Sequence, residues 1–276
     1  MKERITVTLE SDILRQVDLS VDGYTIKNRS HAIEVLLCKA LGKDKAGTAL
    51  ILAGGRLNRL KGTLTNISPV MALVKNKPIL EHNIDLLKRY GVKEMIIWIN
   101  PRSQDVKDYF GDGSRFGVSI TYLDEGEPLG TGAPLKKARP FLKETFIVCN
   151  GDELKDVNID DLMRFHRDKK ANVTLALTTV QDPSKYGAAN LHGDRVIDFT
   201  EKPKKGTHSS NLINAGIYIC EPKVIDLIPD GHVGMEKDIF PLIAKDKKLF
   251  GFSFCGQWYD CGNQEGYEKA LKEWKG

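Results

Sequence analysis

No apolar run in this chain approaches the roughly 18 residues that a membrane-spanning helix needs, and its opening residues Met1-Lys2-Glu3-Arg4 lack the apolar stretch of a secretory signal. Both absences point to a cytoplasmic protein with no membrane partner. Cysteine is sparse and scattered: the five residues Cys38, Cys149, Cys220, Cys255 and Cys261 include no pair at close metal-ligand spacing. Their odd number and spread argue for buried free thiols and against a disulfide framework or a structural zinc. A surplus of one charge is also missing. The net charge is +4, and the first 45 residues carry eight Lys/Arg against seven Asp/Glu, a weak electrostatic footprint for a nucleic-acid binder. With 41% hydrophobic residues in 276, the chain can still bury a sizeable core.

What is present divides near Gly42 to Gly47. Residues 4–9 alternate polar and apolar, the period of a strand with Ile5, Val7 and Leu9 on one face and Arg4, Thr6 and Thr8 on the other. Ser11 is a plausible N-cap for a helix carrying Ile13, Leu14, Val17 and Val21, closed by Gly23. Ser30 is one for a second helix carrying Ala32, Ile33, Val35, Leu36, Leu37, Ala40 and Leu41. So small a unit cannot bury these stripes alone, and a lone strand leaves its backbone groups unpaired, so a second copy is expected to complete it.

From Thr48 onward the rhythm changes. Strands are expected up to Ala53 and at 95–99, 118–123, 145–149 and 173–180, alternating with helices at 79–90, 104–110, 129–138 and 159–169. Such a βαβ alternation predicts an α/β domain, a Rossmann-like, mostly parallel sheet with helices on both faces and a ligand site at the carboxyl ends of its strands. Gly54-Gly55 and Gly151-Asp152 fall at two such ends.

Two resemblances follow from these residues. Residues 3–41, with Val17-Asp18, Gly23 and Asn28-Arg29-Ser30-His31-Ala32-Ile33, resemble the ribbon-helix-helix family of transcription factors. That likeness implies a homodimer through the N-terminal ribbon, with higher assembly left open, and a DNA operator as partner. Arg4, Thr6 and Thr8 would face base edges, and the amides near Arg29 and Ser30 a phosphate. A dimerisation clasp without DNA contacts is the plainer reading of the same segment. Residues 48–270, with Leu52-Ala53-Gly54-Gly55, Lys77-Pro78, Glu127-Pro128-Leu129-Gly130-Thr131-Gly132, Asn150-Gly151-Asp152, Glu201-Lys202-Pro203, Asn214-Ala215-Gly216 and Trp258-Tyr259-Asp260-Cys261-Gly262, resemble the sugar-1-phosphate nucleotidyltransferases. The domains implied are 1–45 and 46–276.

On the second resemblance, Asp152 and Asp260 would be the metal ligands, holding Mg²⁺ when a nucleotide is bound, and Gly130 and Thr131 would lie against the nucleobase. Glu201, Lys202, Asn214 and Gly187 would contact a sugar phosphate or nucleotide sugar, with Gly54 and Gly55 beside the phosphates. The family's phosphate loop reads Gly-Gly-x-Gly-Thr-Arg-Leu followed by Pro-Lys. Without a gap, Leu57 and Asn58 stand at its second glycine and threonine and Ser68-Pro69 at Pro-Lys, leaving Arg59 as the phosphate contact. A gap would restore another register. Losing a cation and a positive-φ glycine weakens a triphosphate site. The expectation is therefore a DNA-binding regulator whose transferase-like domain binds an effector with weak or no catalysis. The alternative is an active Mg²⁺-dependent nucleotidyltransferase with an N-terminal dimerisation or regulatory module.

Overall fold

The computed structural model describes residues 4–24, 26–40, 46–54, 68–126, 129–206 and 210–276, and the chain separates into two compact units, Met1–Lys45 and Ala46–Gly276.

The first unit is a pair of helices, α1 (Ser11–Leu19) and α2 (Arg29–Ala40). Both were expected, with different ends. The first stops at Leu19, so Gly23, at φ +78°, shapes the turn between the helices and does not close α1. The Asn28 side chain accepts from the His31 amide at 3.0 Å, so Asn28, not Ser30, caps α2. Val17 and Ala32 are buried between them. The strand expected at 4–9 is not formed: these residues adopt no strand, and Ile5 and Val7 are 70% and 55% exposed. A strand is defined by its partner, and the single chain offers none here.

The second unit runs β1 (Thr48–Ala53), β2 (Leu73–Val74), β3 (Lys77–Pro78), α3 (Ile79–Arg89), β4 (Glu94–Ile99), α4 (Gln104–Phe110), β5 (Ser119–Asp124), α5 (Gly132–Ala138), β6 (Phe146–Asn150) and β7 (Glu153–Lys155). It continues with α6 (Ile159–Lys169), β8 (Val173–Thr179), β9 (Gly187–His192), β10 (Arg195–Glu201), β11 (Leu212–Cys220), α7 (Phe240–Lys245), β12 (Leu249–Ser253), β13 (Trp258–Asp260) and α8 (Gln264–Glu273). Nine strands form one sheet in the order β5-β4-β1-β6-β11-β8-β12-β10-β9. The run β5-β4-β1-β6 is parallel, as the βαβ rhythm predicts. Beyond it β11 enters antiparallel between β6 and β8, so the second half is mixed.

Alternation along β1 shows why both faces are covered. Ala49, Ile51 and Ala53 enter one core with Leu80, Ile84 and Leu87 of α3 and Val106 and Phe110 of α4. Leu50 enters the other, with Leu135 of α5 and Phe240 and Ile243 of α7. A separate ladder, β7 against β13, pairs Glu153 with Asp260 and closes a third cluster around Leu154, Tyr259, Cys261 and Trp274.

Candidate active site

The carboxyl ends of β1 and β6 meet where Gly151 donates its amide to the Leu52 carbonyl at 2.9 Å, setting Asp152 beyond the sheet. The β7–β13 ladder then delivers Asp260 to the same place, and the Cys261 amide donates to the Asp152 carbonyl at 3.0 Å. The two carboxylates flank Gly262. A β-carbon there would stand 2.6 Å from Asp152 Oδ2 and 3.1 Å from Asp260 Oδ1, so only glycine leaves the gap between them open. Asp260 is oriented by the Gly262 amide at 3.0 Å and the Asn263 side-chain amide at 2.7 Å. Asn263 in turn caps α8 by accepting from Gly266 at 2.9 Å.

Beneath this pair lies a buried polar cluster that sequence reasoning missed. Glu153, 9% exposed, accepts from Asn150 Nδ2 at 2.7 Å and from Trp258 Nε1 at 2.8 Å. Burial pushes its carboxyl up to about 7, with the nearby Lys155 ammonium opposing and Asp152 adding to the rise. Lys155, 3% exposed, donates to the Asn150 carbonyl at 2.8 Å and reaches Cys149 Sγ at 3.4 Å. Burial raises the Cys149 thiol. The available signal was Glu153-Leu154-Lys155, charges alternating along a segment whose three residues are all buried.

Of the other expected residues of the second unit, those that are described lie around the same end of the sheet. Gly187 pairs directly with Glu201 in the β9–β10 ladder. Lys202, at φ +49°, donates its amide to the Tyr186 carbonyl at 2.9 Å and holds its ammonium 3.5 Å from Glu201 Oε1. Asn214 sits where the β11–β8 register shifts, accepting from the Gly216 amide at 3.2 Å. Gly54 follows β1 and packs against Trp98. Gly130 adopts φ +82°, and the segment 129–131, expected as the start of a helix, is instead an irregular loop before α5. Gly55 and Arg59 lie outside the described residues, as do Leu57 and Asn58. Ser68 is buried, giving its amide and hydroxyl to the Asp105 carboxylate at 2.8 Å each, and Pro69 opens a short 3₁₀ turn. Beside Asp260 opens a cleft of about 670 Å³, with Thr178, Tyr186, Trp258 and Lys269 on its walls.

Residues 48–275 match the family model described as nucleotidyl transferase. The chain belongs to the nucleotidyl transferase family. It is 37% identical over 226 residues to the mannose-1-phosphate guanylyltransferase catalytic subunit beta of Danio rerio, covering 79% of this chain and 62% of that protein. The subunit of the same name from Dictyostelium discoideum is 36% identical over 229 residues, 81% of this chain and 63% of the relative. The chain thus spans somewhat less than two thirds of those relatives' length. Among solved structures, HddC from Yersinia pseudotuberculosis complexed with GMP-PN superposes with a TM-score of 0.68 at 27% identity, covering 83% of this chain and 99% of that one. UDP-glucose pyrophosphorylase complexed with UDP-glucose shares the fold, with a TM-score of 0.72 at 21% identity over 82% of this chain and 97% of that one.

These relationships overturn the reading of the chain as a DNA-binding regulator with weak or no catalysis. Relatives matching about four fifths of it are guanylyltransferases. The argument for lost catalysis rested on one loop in one gapless register, whereas the likeness to transferases is spread over the whole second unit. Arg4, Thr6 and Thr8 lie on the segment that forms no strand in the single chain, and the Arg29 guanidinium, which the expected phosphate contact did not use, pairs with both oxygens of Asp18 at 2.7 Å. Ser30 is exposed on the first turn of α2, and the first unit lies outside the family match. Among the described residues no helix is long and apolar enough to cross a membrane.

Proposed function

We propose that this chain is a sugar-1-phosphate nucleotidyltransferase that joins GTP to mannose 1-phosphate, giving GDP-mannose and pyrophosphate. The observation that supports metal-assisted nucleotidyl transfer is the convergence of Asp152 and Asp260 around Gly262, beside an open cleft at the ends of the strands, while the choice of GTP and mannose 1-phosphate follows the names of the guanylyltransferase relatives. A phosphate oxygen of the sugar phosphate attacks the α-phosphorus of the nucleotide, a new P–O bond forms, and the bond to the β,γ-diphosphate breaks. No covalent residue is needed. The work of the protein is to position two polyanions and offset their charge. Glu201 and Lys202 hold the sugar phosphate, the carboxylate accepting from hydroxyls and the ammonium facing the phosphate. Gly130 and Thr131 border the base, and the triphosphate contact expected of Arg59 belongs to the same reading.

The donor set suits Mg²⁺. Asp152 and Asp260 present hard oxygens about a common gap, and among the described residues no group of three or more His, Cys, Asp or Glu side chains could close a full protein cage. That leaves positions for phosphate oxygens and water, the arrangement this ion favours. When bound, Mg²⁺ would offset phosphate charge and align the triphosphate. The first unit we assign to dimerisation: Ile5, Val7, Leu36 and Leu37 stay exposed in the single chain, and a second copy would cover them.

The test is pyrophosphate release from GTP and mannose 1-phosphate with and without chelator, with UTP, dTTP and glucose 1-phosphate as competitors. Chelator-sensitive turnover fastest with the first pair supports the reading, and no nucleotide sugar from any pair defeats it. Light scattering on the full chain and on a variant lacking residues 1–45 tests the assembly, which should fall from dimer to monomer.

A further inference from the structure

The loop 129–132 is sewn to a distant segment, 233–236, by four hydrogen bonds. The Val233 amide donates to the Leu129 carbonyl at 2.9 Å, and the Gly132 amide returns to the Val233 carbonyl at 2.8 Å. A β-carbon on Gly130 would fall 2.4 Å from the Val233 carbonyl oxygen, so this backbone approach is as close as glycine permits. Next along, the Met235 amide donates to Thr131 Oγ1 at 2.8 Å, and that hydroxyl donates to Glu236 Oε2 at 2.5 Å. The threonine oxygen is therefore used twice, with its proton directed at the carboxylate.

The second segment is itself unusual. Met235–Ile239 is a π-helical turn leading into α7, a geometry that costs regular helix hydrogen bonding and persists where a side chain must be re-aimed. Phe240 at its end packs edge-on against Phe199 of β10, ring centroids 5.3 Å apart, two residues before Glu201. One short element thus ties the Gly130–Thr131 loop to the strand that presents Glu201.

We propose that Glu236 is a positioning residue for the nucleotide: through Thr131 it holds the Gly130 loop in the shape that receives the base, without touching substrate itself. This rests on the transferase reading above. An acceptor oxygen is what the role requires, not a charge. Glu236→Gln keeps an oxygen able to accept from Thr131, whereas Glu236→Ala leaves that hydroxyl without its acceptor and Thr131→Val removes both bonds of the chain.

The experiment compares these three variants with the wild type in steady-state kinetics, in calorimetric GTP binding and in amide hydrogen exchange. Glu236→Ala and Thr131→Val are expected to raise the KM and Kd for GTP about tenfold, leaving the KM for mannose 1-phosphate and kcat within about twofold. Glu236→Gln should stay near the wild type. If Glu236→Gln is as impaired as Glu236→Ala, or if the sugar phosphate KM moves with that of GTP, the inference falls, because charge or direct sugar contact would then be at work. Hydrogen exchange separates this from failure of the transferase reading. Even if no substrate pair turns over, faster exchange at Gly132 and Met235 in Glu236→Ala, with protection kept in Glu236→Gln, supports the inference, and unchanged exchange in both overturns it.

Discussion

Asp260 stands directly opposite Glu153 in the β7–β13 ladder, so backbone pairing alone carries a carboxylate from the last part of the chain to the side of Asp152. The ladder is three residues long on each strand, and Tyr259 and Leu154 in its middle anchor it in the third hydrophobic cluster. Position at the site is thereby set by packing several ångströms beneath it.

If the two aspartates form the divalent-ion site, Asp152→Asn and Asp260→Asn should each lower turnover by at least about 10²-fold, with the half-saturating Mg²⁺ concentration raised. Pyrophosphate release across a magnesium titration measures both effects. Thermal melting should change little, since asparagine has the same shape and both positions are only half-buried.

Gly262→Ala tests the gap itself. The added methyl would meet Asp152 Oδ2 at 2.6 Å, which pushes the carboxylates apart. Misplacing a ligand by about 1 Å is expected to cost on the order of 10²-fold in kcat. Circular dichroism should show a folded protein, because the ladder below is untouched.

Glu153 should give the metal-free protein a pH-dependent stability. Burial raises its carboxyl from the ordinary 4.5 to about 7, so the folded state binds this proton more tightly than the unfolded one. The contribution is fully present below the unfolded value and is lost as the pH rises through about 7. Urea midpoints measured in chelator should therefore fall between pH 5 and 8 in the wild type. Glu153→Gln should flatten that part of the curve.

In the gapless register Pro69 occupies the place where the resemblance calls for a lysine, at the first position of a 3₁₀ turn that Ser68 anchors to Asp105. Pro69→Lys restores a cation without removing a packed side chain from the core, and should raise kcat/KM for the triphosphate by about tenfold or more. Initial rates at limiting GTP decide it.

The helices of the second unit up to residue 169 and its longer strands up to residue 180 were legible from sequence because their periodicity is a local property of consecutive residues, whereas the strand expected at 4–9 is absent and the two- and three-residue strands β2, β3 and β7 were not expected. Helix α6, expected at 159–169, has those same bounds, and α3 differs from its expectation by one residue. The ends of α1 and α2 and the loop 129–131 were misjudged because capping and turn geometry depend on contacts that alternation does not encode. Sequence also named both aspartates, but only through their resemblance to a known pattern.

The amino-acid order alone determined where the chain changes character, which segments are strands or helices in the parallel half, and which kind of chemistry the second unit resembles. The tertiary structure decided the rest: that β11 runs against β6 and β8, that Asp152 and Asp260 share one gap, that Glu153 and Lys155 are buried below them, and that Glu236 grips Thr131. The physical reason is range. Periodicity and turn chemistry act over a few residues, whereas these contacts join segments far apart in the chain and exist only once the sheet and its covering helices have closed around them.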